Sequence, residues 1–449
     1  MYIVYCIDAE GPVYESLDAT FERVSEIFGV DVEPSQQNLI KLQKGDIPRI
    51  SRKKRDAIMK MVSPDRLSLN ADWSSIDKTI SKVICPKVRN KLLDSYGNGY
   101  IYNWFCVDMV GFETNPRRRA FGYHQMYEYY KNKTIDAGHV QDRLYWHHHP
   151  VPFTRQGHKT ANNISFTNHH IQVLCRRVID CYDFPVAFRP GGDVVRPDIS
   201  FFLEQWIPFD YSNHAVDETE VEKNQLDLAG GRFSDCRRSP KEWIVFHPDY
   251  FDYQKQGNMK RYVARCLYLR GRFKSLTEKE VDAAFARADS NKPTVMAFLS
   301  HDIRDMTEDI NLVNKWIKKS ATKHKDVKFK FANAVDAIRE ALSLKESLHT
   351  HNPPKFDIQW KGSCLKIISD KKLWGPQPFF CFQTWDFNYY HDNLDKDNDT
   401  SWSYVFDYNT IDIRAVKYIG IASNDDFGNT TVCVINMENR KIKTVYRNV

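Results

Sequence analysis

No Cys-x-x-Cys pair occurs among the ten cysteines of this 449-residue chain, which argues against the common zinc-ribbon and dithiol spacings. Cys6, Cys106 and Cys175 sit inside apolar patterns and read as small buried hydrophobes in a reducing compartment, not as parts of a disulfide framework. No apolar run approaches the ~18 residues of a membrane span, so no integral membrane segment is expected. Met1 leads directly into a strand-like run without the basic region and cleavage site of a secretory leader, so a cytoplasmic protein is expected. Internal repeats and low-complexity tracts are missing too. Charge of one sign is scarce: 64 basic against 58 acidic residues leave +6. Read as a mild excess spread along the chain, it does not argue for a nucleic-acid partner. The densest basic stretch is Arg49, Arg52, Lys53, Lys54, Arg55 and Lys60. It reads as the solvated face of a helix in an insertion; attraction to an anionic substrate carrier or membrane surface is the other reading.

Apolar and aromatic residues are plentiful, at 42% and 13%, and this length supports two domains with a sizeable core. Buried strands are expected at 1–10, 101–110, 144–147, 186–188, 207–212, 243–246, 295–299 and 327–331, alternating with amphipathic helices. One helix, capped by Thr167 or Asn168, carries the stripe Ile171, Leu174, Cys175, Val178 and Ile179. Strand-then-helix units over about 340 residues imply an α/β fold with a parallel sheet or barrel. Residues 30–98 form a charged insertion with helical patches. His349–Pro354 reads as a linker, beyond which short alternating runs and turn clusters predict a small antiparallel sandwich over 352–449.

Several strand ends carry polar clusters, and parallel α/β folds build sites there. Asp8 and Glu10 follow the first strand two positions apart, so both can face one pocket. One can bind a metal while the other serves as a base. His147, His148 and His149 end another strand. Alternation puts His147 and His149 on one side, and with one carboxylate they make a three-ligand open metal site. His169 and His170 read as surface or cap residues. Arg189 can hold the base carboxylate ionised, and Gly191 and Gly192 let backbone N–H groups approach an oxyanion. His301, in Ser300-His301-Asp302, can protonate a leaving amine, and Asp210 can orient it. Asp395, Asp397 and Asp399 resemble a calcium loop but lack its glycine and glutamate, and read as a solvated turn.

In order, the run Asp8-Ala9-Glu10, His147-His148-His149-Pro150, Arg189-Pro190-Gly191-Gly192, Asp210-Tyr211-Ser212 and Leu299-Ser300-His301-Asp302 resembles the NodB homology domain of polysaccharide deacetylases, carbohydrate esterase family 4. The His-x-His-Pro form with Asp-x-Glu in front looks closest to the WbmS-like branch, found with bacterial surface-polysaccharide genes. The resemblance covers about residues 1–345, apart from the insertion. It implies a distorted (β/α) barrel over 1–348, with the sandwich as an accessory domain. It also implies a divalent metal, Zn2+ for preference, on Glu10, His147 and His149. Asp8 matches the family's base, Arg189 the arginine that orients it, Asp210 a supporting acid and His301 the catalytic acid.

This chain has glutamate where the family has its second aspartate, histidines two rather than four apart, and two glycines in place of a bulkier pair. His148 therefore stays open as a ligand. The expected activity is hydrolysis of the N-acetyl group of an amino sugar that is nucleotide-linked, lipid-linked or part of an oligosaccharide, in surface-polysaccharide biosynthesis. Deformylation, or glycan binding on a degenerate scaffold, are the alternatives. Trp374, Trp385, Tyr389, Tyr390 and Trp402 offer aromatic faces to sugars, or a packing core.

Overall fold

The computed structural model describes residues 1–108, 123–139, 141–149, 169–191, 195–216, 236, 238–269, 276–344 and 352–447. The loop 151–166, the Thr167–Asn168 cap, Gly192 and the first half of the His349–Pro354 linker lie outside them.

Strands β1 (Tyr2–Ala9), β2 (Tyr102–Asp108), β3 (Arg143–His148), β4 (Ala187–Pro190) and β5 (Phe209–Asn213) are parallel neighbours in a sheet. It continues through β7 (Tyr262–Tyr268) and β8 (Val295–His301). The two-residue β6 (Val245–Phe246) runs antiparallel to β7. Pairing of β1 with both β8 and β2 closes the seven parallel strands into a barrel. The closing edge of β1 is shared, because Tyr2 and Ile3 pair with β9 (Lys330–Phe331) whereas β2 takes over from Tyr5. Asn103 stands at that fork. Its Nδ2 donates to Tyr5 O at 3.1 Å and its Oδ1 accepts from Ala334 N at 2.7 Å, so the buried amide is satisfied where the ladder splits.

Side-chain alternation divides the core. Val4 and Cys6 join Phe105, Tyr145, Ala187, Phe209, Cys266, Ala297 and Leu299 inside the barrel, where Val335 and Ile338 of helix Ala334–Ala341 also pack. Ile3, Tyr5, Ile7, Trp104, Leu267 and Phe298 pack outward beneath the surrounding helices. The inward parity continues upward through Asp8, His147, Arg189, Tyr268 and His301, which places those polar side chains at the C-terminal mouth.

Strand β7 was absent from the strands expected from the sequence. Arg265 breaks its apolar run, and the charge is accommodated because both guanidinium Nη atoms donate to Glu280, at 2.6 and 2.8 Å. Expected strands at 243–246 and 327–331 shorten to two residues each.

The insertion is helical. Its helices Gln36–Lys44 and Arg52–Met61 pack with the preceding helix, Leu17–Phe28, through Phe21, Val24, Leu39, Leu42, Ile58 and Met61. After the barrel come two antiparallel sheets. One holds β10 (Phe356–Lys361), β11 (Cys364–Ser369), β14 (Asp395–Asn398) and β15 (Ser401–Val405). The other holds β12 (Phe379–Thr384), β13 (Tyr389–Asp392), β16 (Val416–Asn424), β17 (Thr430–Asn436) and β18 (Ile442–Arg447). Leu365, Ile367, Phe380, Trp402, Ile419 and Ile421 fill the space between them. The outer face of the second sheet packs on helices His169–Cys181 and Pro197–Trp206 through Phe379, Cys381, Val178 and Leu203. Gly420 permits this approach, since a Cβ there would lie 2.7 Å from Val178 Cγ1. Trp374 and Trp402 are core residues, 2% and 1% exposed, and so are not open sugar platforms; Trp385 is 47% exposed. Asp395–Asn398, read as a turn, is an exposed edge strand.

Candidate metal centre and active site

Parallel register brings the polar strand ends level. Asp8 lies opposite His301 across β1–β8, and His147 lies opposite Arg189 across β3–β4. Glu10 is one step beyond β1, and His149 one step beyond β3. These four strand ends therefore direct six side chains into one mouth.

Glu10 Oε1 lies 3.2 Å from His147 Nε2 and 2.9 Å from His149 Nε2, and the two imidazole nitrogens are 3.1 Å apart. A tetrahedral zinc site with bonds near ~2.05 Å needs ligand atoms roughly 3.3 Å apart. The His147 Nδ1 approaches Arg189 O at 3.2 Å. Donation of its N–H to that carbonyl leaves the Nε2 lone pair facing Glu10 and His149, the second-sphere arrangement typical of metal-bound imidazole. Three lone-pair-bearing atoms converging in a nearly buried corner fit a divalent cation. His148 is not in the group. It points through the opposite face of β3, where its Nδ1 meets Asp108 Oδ1 at 2.8 Å and Trp146 Nε1 donates to Asp108 Oδ2 at 2.7 Å. His170, read as a surface or cap residue, is 5% exposed and lies between the rings of His148, tilted at 52°, and Phe202, edge-on at 77°.

Beneath the cation site, Arg189 donates from Nε to Asp8 Oδ1 at 2.7 Å and from Nη2 to Asp8 Oδ2 at 3.1 Å. Its Nη1 donates to Tyr211 O at 2.9 Å, which fixes the fork. Burial pushes the Asp8 carboxyl up, but Arg189, His147 and His301 outweigh it and hold the group below the usual carboxylate range. His147 is moved the other way: burial lowers it, and Asp8 and Glu10 raise it further than burial lowers it. His301 Nε2 sits 3.8 Å from Asp8 Oδ2. Burial holds its imidazole below the ordinary histidine value despite Asp8 and Glu10.

Asp210 does not join this cluster. Alternation turns it outward, and its Oδ2 accepts from Arg261 Nε at 2.9 Å, while Arg261 also donates to Ser200 O at 3.1 Å. The acid facing His301 is Asp8, and the His301 ring lies parallel to Tyr268, with centroids 5.4 Å apart and planes 8° apart.

Three roles in the site were not legible from the sequence. Asp302 accepts from Glu10 N at 2.8 Å and Gly11 N at 3.2 Å, and Tyr130 Oη donates to it as well. It therefore sets the backbone that carries the Glu10 ligand. Burial pushes Asp302 up to about 7 against those donors. Gly191, read as a backbone donor, also makes room for a ligand: a Cβ there would stand 2.7 Å from His149 Nε2. Tyr268 stacks on His301, but it lies on the strand that Arg265 concealed.

Comparison with family models, with curated proteins and with solved structures finds no match. The functional reading therefore rests on the chemistry of these side chains.

Proposed function

We propose that this protein is a metal-dependent hydrolase that removes an N-acyl group, acetyl for preference, from an amino sugar. The observation that carries the reading is the pairing of two carboxylates with different environments in one mouth. Glu10 faces two imidazole nitrogens, and Asp8 is gripped by a buried arginine. One carboxylate is committed to a cation and the other is kept ionised as a base. Glu10, His147 and His149 would hold the ion, which supplies Lewis acidity that polarises an amide carbonyl and acidifies water.

Asp8 accepts the proton of the attacking water, and Arg189 stabilises it as a carboxylate until then. The water oxygen bonds to the acyl carbon. His301, on the far side of Asp8, delivers a proton to the amide nitrogen as the C–N bond breaks, so the products are a carboxylic acid and a free amine. Tyr268 holds the His301 ring in plane for that transfer. The barrel mouth is deep enough that Asp8 is 1% exposed, which strengthens each charge interaction. The resemblance to polysaccharide deacetylases supports the sugar amide as substrate, with surface-polysaccharide biosynthesis as its setting.

The decisive assay measures acetate and formate release from nucleotide-linked, lipid-linked and oligosaccharide amino sugars, with and without chelator. Chelator-sensitive release of one acid, restored by added zinc, supports the reading. Absence of release from every member by metal-loaded protein overturns it.

A further inference from the structure

The insertion carries a charge pattern that the site chemistry does not use. Residues 41–60 hold eight basic and two acidic side chains, an excess equal to the whole formal charge of +6; the other 429 residues hold 56 of each sign. The net charge is thus concentrated rather than spread. It sits on two helices, Gln36–Lys44 and Arg52–Met61, packed together through Leu39, Leu42, Ile58 and Met61, and on Arg49 in the turn between them. Lys41, Lys44, Arg49, Arg52, Lys53 and Lys60 are all exposed. Arg52 meets Asp56 only at 4.0 Å, with both side chains solvated, so this contact neutralises little. The first turn of Arg52–Met61 contains no acid although the helix dipole favours one there. The stretch therefore presents a largely uncompensated positive surface, which suits an anionic partner.

Two further observations identify the surface. Ile40 is 47% exposed on the same helix pair, an apolar side chain beside lysines, as interfacial helices have. Residues 29–72 contain no Phe, Tyr or Trp in a chain that is 13% aromatic. Single-stranded nucleic acids are held by aromatic stacking as well as charge, so this face lacks what they need. The insertion is also tied to the mouth. Asn70 N donates to Ile303 O, and Asn70 Nδ2 to Asp302 O, both at 2.8 Å, immediately after His301.

We infer that the exposed basic face of residues 41–60 seats the protein on an anionic lipid bilayer through headgroup phosphates. Clusters of four to eight basic residues are the usual size for such attachment. The attachment stands independently of the hydrolase reading. Its consequence, that the substrate is a lipid-linked amino sugar presented at the bilayer, rests on that reading.

The test is co-sedimentation of the full chain with vesicles of phosphatidylcholine alone or mixed with phosphatidylglycerol, at low and high salt. Binding is expected only to the anionic vesicles and is expected to weaken with salt. The variant Lys44→Gln/Arg52→Gln/Lys53→Gln is expected to lose about fivefold per charge, about a hundredfold in all, with its thermal midpoint unchanged. Equal binding to neutral vesicles, no binding to anionic ones, or full binding by the variant overturns the inference, as does binding to an oligonucleotide without binding to vesicles. Vesicle binding is read without any hydrolysis, so its outcome and that of the acid-release assay are separable.

Discussion

Arg189 grips both carboxylate oxygens of Asp8 in a pocket where neither side chain is more than 1% exposed. Removing one partner of a buried pair strands the other charge, which costs about 3–5 kcal/mol. Arg189→Met is therefore expected to destabilise strongly in urea unfolding. Asp8→Asn keeps the shape and a hydrogen bond but leaves the Arg189 charge uncompensated; it should be less stable than wild type and, in the folded fraction, retain metal and lose about 10²–10⁴-fold in turnover. Unchanged turnover in Asp8→Asn would remove Asp8 as the base.

Metal content tests the corner above it. The wild-type protein, dialysed and analysed by inductively coupled plasma mass spectrometry, is expected to keep about one divalent ion per chain, as a three-ligand site does. Glu10→Gln and His147→Ala should lose it. His148→Ala should keep it, because His148 faces Asp108 through the opposite side of β3. Equal metal loss in all three would show that strand order, not ligation, is being measured.

Gly191→Ala is expected to act at a distance from any ligand atom of its own. The added Cβ would overlap the His149 ring, with Nε2 only 2.7 Å away. Weaker metal retention with an intact circular dichroism spectrum is the expected outcome. Wild-type metal affinity in this variant would mean that His149 does not sit where the alanine methyl falls.

The pH profile follows from two opposed shifts. Asp8 is held below the usual carboxylate range, and His301 below its ordinary value near about 6.5. The base is ionised above the first and the acid protonated below the second, so kcat/KM should peak on the acid side of about 6.5 and fall as pH rises. His301→Ala should flatten that alkaline limb. An optimum well above neutrality would contradict His301 as the proton donor.

Asp302 makes a stability prediction. Burial lifts its carboxyl to about 7, whereas the unfolded chain releases that proton near about 3.9. Between these values the folded state binds the extra proton. Its contribution therefore grows as pH falls through the window and is lost as pH rises through about 7. Chemical denaturation of metal-free wild type and Asp302→Asn should show a stability difference that changes in that sense between about pH 5 and pH 8. With metal present, Asp302→Asn should lose about 10–100-fold in affinity, because it positions Glu10.

Period and punctuation in the chain carried much of the architecture: repeated strand–helix units read as a parallel sheet or barrel and short alternating runs as a sandwich, while the choice of a barrel came from the family resemblance and its closure from the pairing of β1 with β2 and β8. The same period-two rule placed His147 and His149 on one side. Hydrophobic alternation is local and needs no knowledge of neighbours. Strand β7 escaped because a buried Arg265 is acceptable only when Glu280, on another element, is there to meet it.

Partner choice among buried polar groups is where local reading stops. Asp8, Asp210 and Asp302 are each an acid within or just beyond a strand, and nothing in their flanking residues names the partner of each. Tertiary packing gave Asp8 to Arg189 at the mouth, Asp210 to Arg261 outside the wall, and Asp302 to the backbone of Glu10 and Gly11. It likewise made Gly191 a seat for His149 and buried Trp374 and Trp402. A carboxylate's role depends on which donors reach it within about 3 Å and how little water remains. Sequence neighbours do not determine that, because the donors come from strands and loops far apart along the chain.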